Sequence, residues 1–360
     1  MAMIEGWLRK GWFWIMVSMV LTLILNAMLP YNSEFVEAYY SQGIFRGFRI
    51  LWDYTLGFSP IPLIYLLLGF LLWYLLKPFF SERTRKRKFQ RLINRLLLSV
   101  CCLVIAFYWM WAFNYKRIDI RQTLGLQQVS IDEEDVYQAY REVSDSLMSL
   151  RAALPDTLKW AAYEVDQPSL REELLVSYRA LNLNDKGRVR IRKLYPKGSL
   201  LHISTAGVYL PFVGEGHIDP GLHPITHPFT MMHEMSHGYG WTGEDVCNFL
   251  ALIGSINSKD PIIRYSGYMA YWRYLRSNAY RADRDRWKSV EPIVNAEVMR
   301  DYKEMIEYTD RYPDIMPKLR NLIYDNYLKS HGIKEGLVSY SEMIKLAHGW
   351  KEKHGSLILK

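Results

Sequence analysis

A mostly α-helical membrane protein, with three N-terminal transmembrane helices followed by an α+β domain, is the fold class this sequence predicts. Three observations predict it. Three long apolar runs crowd the first third of the 360 residues, the sequence turns charged and helix-periodic after Tyr115, and a single His-Glu-x-x-His pattern stands at His233–His237. Half of the chain is hydrophobic and 14% is aromatic, which suits membrane spans joined to a folded extramembrane part. The net charge of +8 invites a nucleic-acid reading, but its location argues otherwise: Lys77–Arg95 holds eight Lys or Arg against Glu82 alone, leaving about +1 elsewhere. A nucleic-acid partner is therefore excluded. Of the three cysteines, Cys101 and Cys102 are neighbours in an apolar run and Cys247 stands alone, so no disulfide framework can be read.

From the N-terminus, Arg9 and Lys10 lead into Gly11–Leu29, an uncharged run long enough to cross a bilayer. A second run is Ile61–Leu76, extended by flanking aromatics, and a third is Leu96–Tyr115. Spans are expected at about 11–29, 59–78 and 96–115, making 1–115 the transmembrane region and 116–360 a separate domain. A signal peptide is the alternative for the first run, but that run is long and no small-x-small cleavage site follows. Ion or proton transport is disfavoured because the spans lack Asp, Glu and His. The basic loop Lys77–Arg95 marks the cytoplasmic side. The N-terminus is then inside, the loop Tyr31–Ser59 outside, and everything after Tyr115 extracytoplasmic. A multi-pass protein of the cytoplasmic (inner) membrane is expected, with the lipid bilayer as its first partner.

After Tyr115, Ser130-Ile131-Asp132-Glu133 reads as a capping box ahead of Val136, Tyr140, Val143, Leu147 and Leu150 at helical spacing. Ser169-Leu170-Arg171-Glu172 reads as a second box. Short β-like pieces follow between Arg188 and Phe212, and Pro211, which cannot donate to a ladder, argues for an edge strand at Gly207–Phe212. Such an edge is a candidate rail for an extended peptide. Gly214–Pro228 is expected as a loop, with Glu215, His217, Asp219, His223 and His227 as loop residues without a ligand role.

The chemistry is carried by the His-Glu-x-x-His helix. One helical turn separates His233 from His237, so both imidazoles leave one face and can share a zinc ion, while Glu234 lies beside the open position and can take a proton from water. Gly238 and Gly240 end that helix, and Thr242-Gly243-Glu244-Asp245 opens the next. With Thr242 as N-cap, Asp245 closes a capping box and Glu244 is left to serve as third ligand, Asp245 being the alternative. Asn248, one turn on, is a candidate orienting partner. Gly243 stands where a metzincin would place its third histidine, which excludes that class. Tyr239, Tyr327 and His331 are candidate oxyanion donors. The aromatic run from Tyr265 to Tyr280 reads as core. The expectation is a membrane-anchored zinc metallopeptidase acting on peptides or proteins of the envelope. The alternative is a non-catalytic zinc-domain sensor or receptor.

Several stretches carry a resemblance: Tyr40–Phe45, Asn114–Arg117, Leu124–Leu126, Gly207–Gly214, His233–His237 with Glu244-Asp245 and Asn248–Ala251, and Tyr324–Tyr340. Together they resemble a family of uncharacterised bacterial multi-span proteins with a zincin-type domain, and the similarity runs over nearly the whole chain. The resemblance implies three N-terminal spans and a gluzincin-like metallopeptidase domain, in which the residues themselves predict a small sheet and a C-terminal helical part. That family often has a second acid where this chain has Val246, so that acid is no essential ligand here.

Overall fold

The computed structural model describes residues 2–82, 84–155, 159–315, 317–318 and 342–359. The chain divides into two compact units, Met1–Ile118 with Leu210–Glu215, and Asp119–Tyr209 with Gly216–Lys360. In the first unit run α1 (Ala2–Met28), α2 (Arg46–Tyr54), α3 (Leu63–Ser81) and α4 (Arg85–Met110). Helices α1, α3 and α4 are each long and apolar enough to cross a membrane, and no more than 11% of any span window is buried within the protein. Open apolar surface on this scale is what lipid covers. Both α1 and α3 pack on α4.

Three expectations change here. The basic loop over Lys77–Arg95 is largely helix, because α3 ends at Ser81 and α4 begins at Arg85. Lys and Arg are good helix formers and extend their stems along apolar surface, so a basic run need not be a loop. The third span ends at Met110, and Ala112–Lys116 forms a 3-10 turn with Ala112, Phe113 and Asn114 buried. The presumed outer loop Tyr31–Ser59 is helical: a π-helix, Val36–Phe45, runs directly into α2.

The π-helix is held by specific bonds. Ser41 donates to Asn114 Oδ1 at 2.8 Å, the Tyr40 hydroxyl donates to the Trp109 carbonyl at 3.0 Å, and Arg117 pairs with Glu37 at 2.7 Å. Helix α2 buries its charges. Arg49 makes a two-pronged ion pair with Asp53 and donates to the Gly214 carbonyl at 2.7 Å, while the Trp52 indole donates to the Val213 carbonyl at 2.6 Å. Both members of the pair are almost fully buried. Removing one of them strands the other charge, so Asp53→Ala is expected to cost about 3–5 kcal/mol, read as lost thermal stability of the detergent-solubilised protein.

The second unit contains α5 (Ile120–Leu124), α6 (Glu133–Ala153), α7 (Gln167–Ala180), β1 (Arg190–Lys193), β2 (Gly207–Leu210), β3 (Glu215–Ile218), α8 (His227–Gly238), α9 (Glu244–Ile256), α10 (Pro261–Ala282), α11 (Arg284–Val290), α12 (Ala296–Asp310) and α13 (Glu342–His354). Helix α9 packs against α7, α8, α10 and α13, and its Phe249, Leu250, Leu252 and Ile253 lie at the centre of the core. The aromatics Tyr265, Tyr271 and Trp272 of α10 join them there, as their pattern predicts. Caps differ in register from the expectation. Asp132, with Asp135, forms the box of α6, and Asp166 caps α7 ahead of Pro168, accepting from Ser169 N. Aspartate is as good a cap as serine, so a neighbouring acid takes the position.

The three strands form one mixed sheet in the order β1-β3-β2, so β2 is an edge as expected, while Pro211 falls in the turn that follows it. Strand β3 lies inside the stretch expected as a loop. All four of its residues are buried. A short central strand covered on both faces shows no alternation, and Glu-Gly-His-Ile has little β propensity to betray it.

Candidate metal centre

Helix α8 starts at His227 with Pro228, whose fixed φ suits a first turn, next to it, and ends in a turn that the sequence encodes through Gly240. Gly240 has φ +91°, its N–H bonds to the His237 carbonyl at 2.9 Å, and Trp241 N–H bonds to the Ser236 carbonyl at 3.2 Å. This is a Schellman closure, and it requires a residue that tolerates positive φ. The closure returns the Trp241 carbonyl to the helix it has just left, 2.8 Å from His237 Nδ1. On the other ring, His233 Nδ1 lies 2.9 Å from Asn248 Oδ1. Each Nδ1–H thus has an acceptor, which leaves both Nε2 atoms as lone-pair donors.

Those two Nε2 atoms are 3.1 Å apart, and the Glu244 carboxylate closes the triangle at 3.2 Å from His233 and 3.7 Å from His237. Together the three residues can hold a metal ion, their donor atoms all lying within 4.8 Å of one another. A zinc ion with bonds of about 2.0–2.2 Å sets tetrahedral donors roughly 3.3–3.6 Å apart, and two imidazole nitrogens with a carboxylate whose Oε2 faces His233 and whose Oε1 faces His237 suit it in donor type and reach. Electrostatics agrees with a cation-binding triangle. Burial works against the charged forms of both Glu244 and His237, yet the bonds from His233 and His237 hold Glu244 well below its ordinary range, and Cys247 with Glu244 holds His237 well above its own.

Glu244 reaches the triangle from the first turn of α9. The N-cap is Gly243 rather than Thr242, and no side chain caps the helix, so the expected box between Thr242 and Asp245 is not made. Asp245 instead lies back over Gly243, where an added Cβ would meet its Oδ1 at 2.7 Å, and burial pushes its carboxyl up to about 6. The helix needs no side-chain cap because its first turn already carries two acids at the positive end of the dipole.

Glu234 projects from α8 against the sheet. It is 4% exposed, its Oε2 has no hydrogen-bond partner among the described residues, and burial lifts its carboxyl to about 7, against the pull of His233 and His237. Room for it is made by two glycines. A Cβ on Gly207 of β2 would lie 2.6 Å from Glu234 Oε1, and one on Gly216 of β3 would lie 2.9 Å from Glu234 Cβ. Sequence reasoning missed this cradle, although glycine inside a strand is a recognised sign of close approach.

Other candidates fall elsewhere. The Tyr239 hydroxyl donates to the Gly187 carbonyl at 3.3 Å and its ring meets Tyr178 edge-on, so the expected oxyanion donor is already engaged in packing. Tyr327 and His331 lie outside the described residues. Asp219 accepts from the backbone N–H groups of Gly198, Leu200, Leu201 and Gly221, which makes it the pin of the loop after β1. Burial drives His223 and His227 down to about 4, and the buried His217 lies in β3. None of these, nor Glu215, joins a group of three possible ligands among the described residues.

The model of a family described as a protein of unknown function, DUF3810, matches residues 40–348. No curated protein and no solved structure matches the chain.

Proposed function

The chain belongs to that family of proteins of unknown function, and from this premise we propose that it is a membrane-anchored zinc metallopeptidase that hydrolyses peptide bonds outside the cytoplasmic membrane. One observation carries the reading: a two-histidine, one-carboxylate cluster beside the buried Glu234, whose Oε2 has no hydrogen-bond partner among the described residues. His233, His237 and Glu244 would hold the ion. Zinc bound there would supply Lewis acidity, polarising a carbonyl and lowering the pKa of water. Glu234 takes the proton of the attacking water and hands it to the leaving amine. Its carboxyl, lifted by burial, is a strong enough base for the first step and a strong enough acid for the second. Asn248 and the Trp241 carbonyl keep both imidazoles in the ligating tautomer, and the Gly207–Gly216 cradle keeps Glu234 close by.

Orientation rests on the arginines and lysines at the α3–α4 junction, which favour the cytoplasmic face. With three spans, the segment before α3 and the domain after α4 then share the opposite side. The test compares new N-termini of membrane and secreted proteins in cells making the wild type or Glu234→Gln, together with zinc content of the purified proteins. Zinc with wild-type-only cleavage supports the peptidase, whereas zinc with identical N-termini in both would indicate a sensor. The orienting role of Asn248 predicts that Asn248→Ala weakens zinc affinity by roughly 10–100-fold in a competitive chelator titration, with folding intact.

A further inference from the structure

Segment 35–61 is amphipathic in the reverse sense of a water-soluble helix. Four charged residues lie within it, Glu37, Arg46, Arg49 and Asp53, and none is exposed: Arg49 and Asp53 are buried, and Glu37 and Arg46 are half-buried. Its outer face is apolar and aromatic. Phe35 is 61%, Tyr39 64%, Leu51 61% and Phe58 60% exposed, with Phe48 and Tyr54 open beside them. The inner face cannot be traded for the outer one by rolling, because Arg49, Asp53 and Trp52 are fastened to one another and to the Val213 and Gly214 carbonyls. An apolar strip held outward in this way needs an apolar medium. The strip leads along the chain through Ile61, 46% exposed, to the open Tyr65 and Leu66 of α3, in the unit that also carries α1 and α4.

We propose that the π-helix and α2 form a fourth membrane-contacting element, lying in the plane of the bilayer at the acyl-chain and headgroup boundary and not crossing it. Charge and composition support lying over crossing. The segment is helical from Val36 to Tyr54 but contains a buried charge pair in its second half, and its exposed residues are rich in Tyr and Phe, the side chains that settle at a membrane–water boundary. Lipid is favoured over a second protein copy because the strip is continuous with the lipid-facing surface of the spans. The inference rests on reading α1, α3 and α4 as spans and is independent of any peptidase activity.

The test places a nitroxide label at Phe48→Cys, Leu51→Cys or Phe58→Cys of the full chain, in a Cys102→Ala background, Cys101 and Cys247 being buried. The protein is reconstituted in phosphatidylethanolamine–phosphatidylglycerol vesicles, and collisions with oxygen and with a water-soluble nickel chelate are measured. Leu66→Cys on α3 serves as the lipid reference and Glu34→Cys as the aqueous one. Oxygen-to-nickel ratios at the three test sites several-fold above Glu34 and approaching Leu66, equivalent to a depth of about 5–10 Å, support the interfacial element. Ratios equal to that at Glu34 overturn it, as does dipolar broadening between labels on two chains, which would make the strip a dimer interface. If Leu66 itself reports water, the reading of the spans fails first, and the proposal with it.

Discussion

Replacing Glu234 by Gln is expected to lower peptide hydrolysis by roughly 10²–10⁴-fold, the usual contribution of a positioned acid–base group, while zinc stays bound. The two side chains share a shape, so the cradle of Gly207 and Gly216 accepts the amide as it does the acid. The amide cannot take a proton from water or return one to an amine. It also brings no charge into the pocket, and burial already disfavours the carboxylate there, so the variant should fold at least as well as the wild type. Measured together, zinc content, melting temperature and the appearance of new N-termini isolate the chemical step from folding and metal uptake. Unchanged cleavage by Glu234→Gln would remove Glu234 from the mechanism.

The second large effect separates the two neighbouring acids. Glu244→Ala removes the carboxylate that lies 3.2 Å from His233 through Oε2 and 3.7 Å from His237 through Oε1 and leaves two imidazoles to hold the ion, so the purified protein is expected to lose most of its zinc and its zinc-induced rise in melting temperature. A ligand present at about 100 times its Kd stabilises the folded state by about 2.7 kcal/mol, and this is the shift that should vanish. Asp245→Asn should retain the metal. That carboxyl leans over Gly243, and burial already raises its pKa to about 6, so the neutral amide asks little of its surroundings. Equal zinc loss in both variants would contradict the assignment of Glu244.

Legibility in the sequence followed the range of the interactions. The His233–His237 spacing, the glycine at 240 and the carboxylate at 244 act within one helix–turn–helix, and local rules are enough to bring them together. Asn248 was legible for the same reason, one helical turn beyond Glu244. The cradle was not, since Gly207 and Gly216 gain their meaning only when the sheet packs on α8, a contact no local pattern encodes. Strand β3 hid because it is short and covered on both faces. Helix α2 hid because its pattern is reversed: its charges suggested an exposed loop, whereas they bond to one another and to backbone carbonyls. Caps slipped by two or three residues where Asp132 and Asp166 stood near the expected Ser130 and Ser169.

The Schellman turn at Gly240 also bears on how the site comes to exist during folding. All three donors lie within residues 233–244, and the turn between the helices is tight, so little chain entropy is lost in bringing them together once α8 and α9 pair. The base is different. Glu234 reaches its final surroundings only when Gly207 and Gly216 arrive from a sheet whose strands lie earlier in the chain, and the pairing of β1 with β3 closes a longer loop. Assembly of the His233–His237–Glu244 cluster and the seating of Glu234 are thus separable events, the first governed by short-range closure and the second by long-range strand pairing.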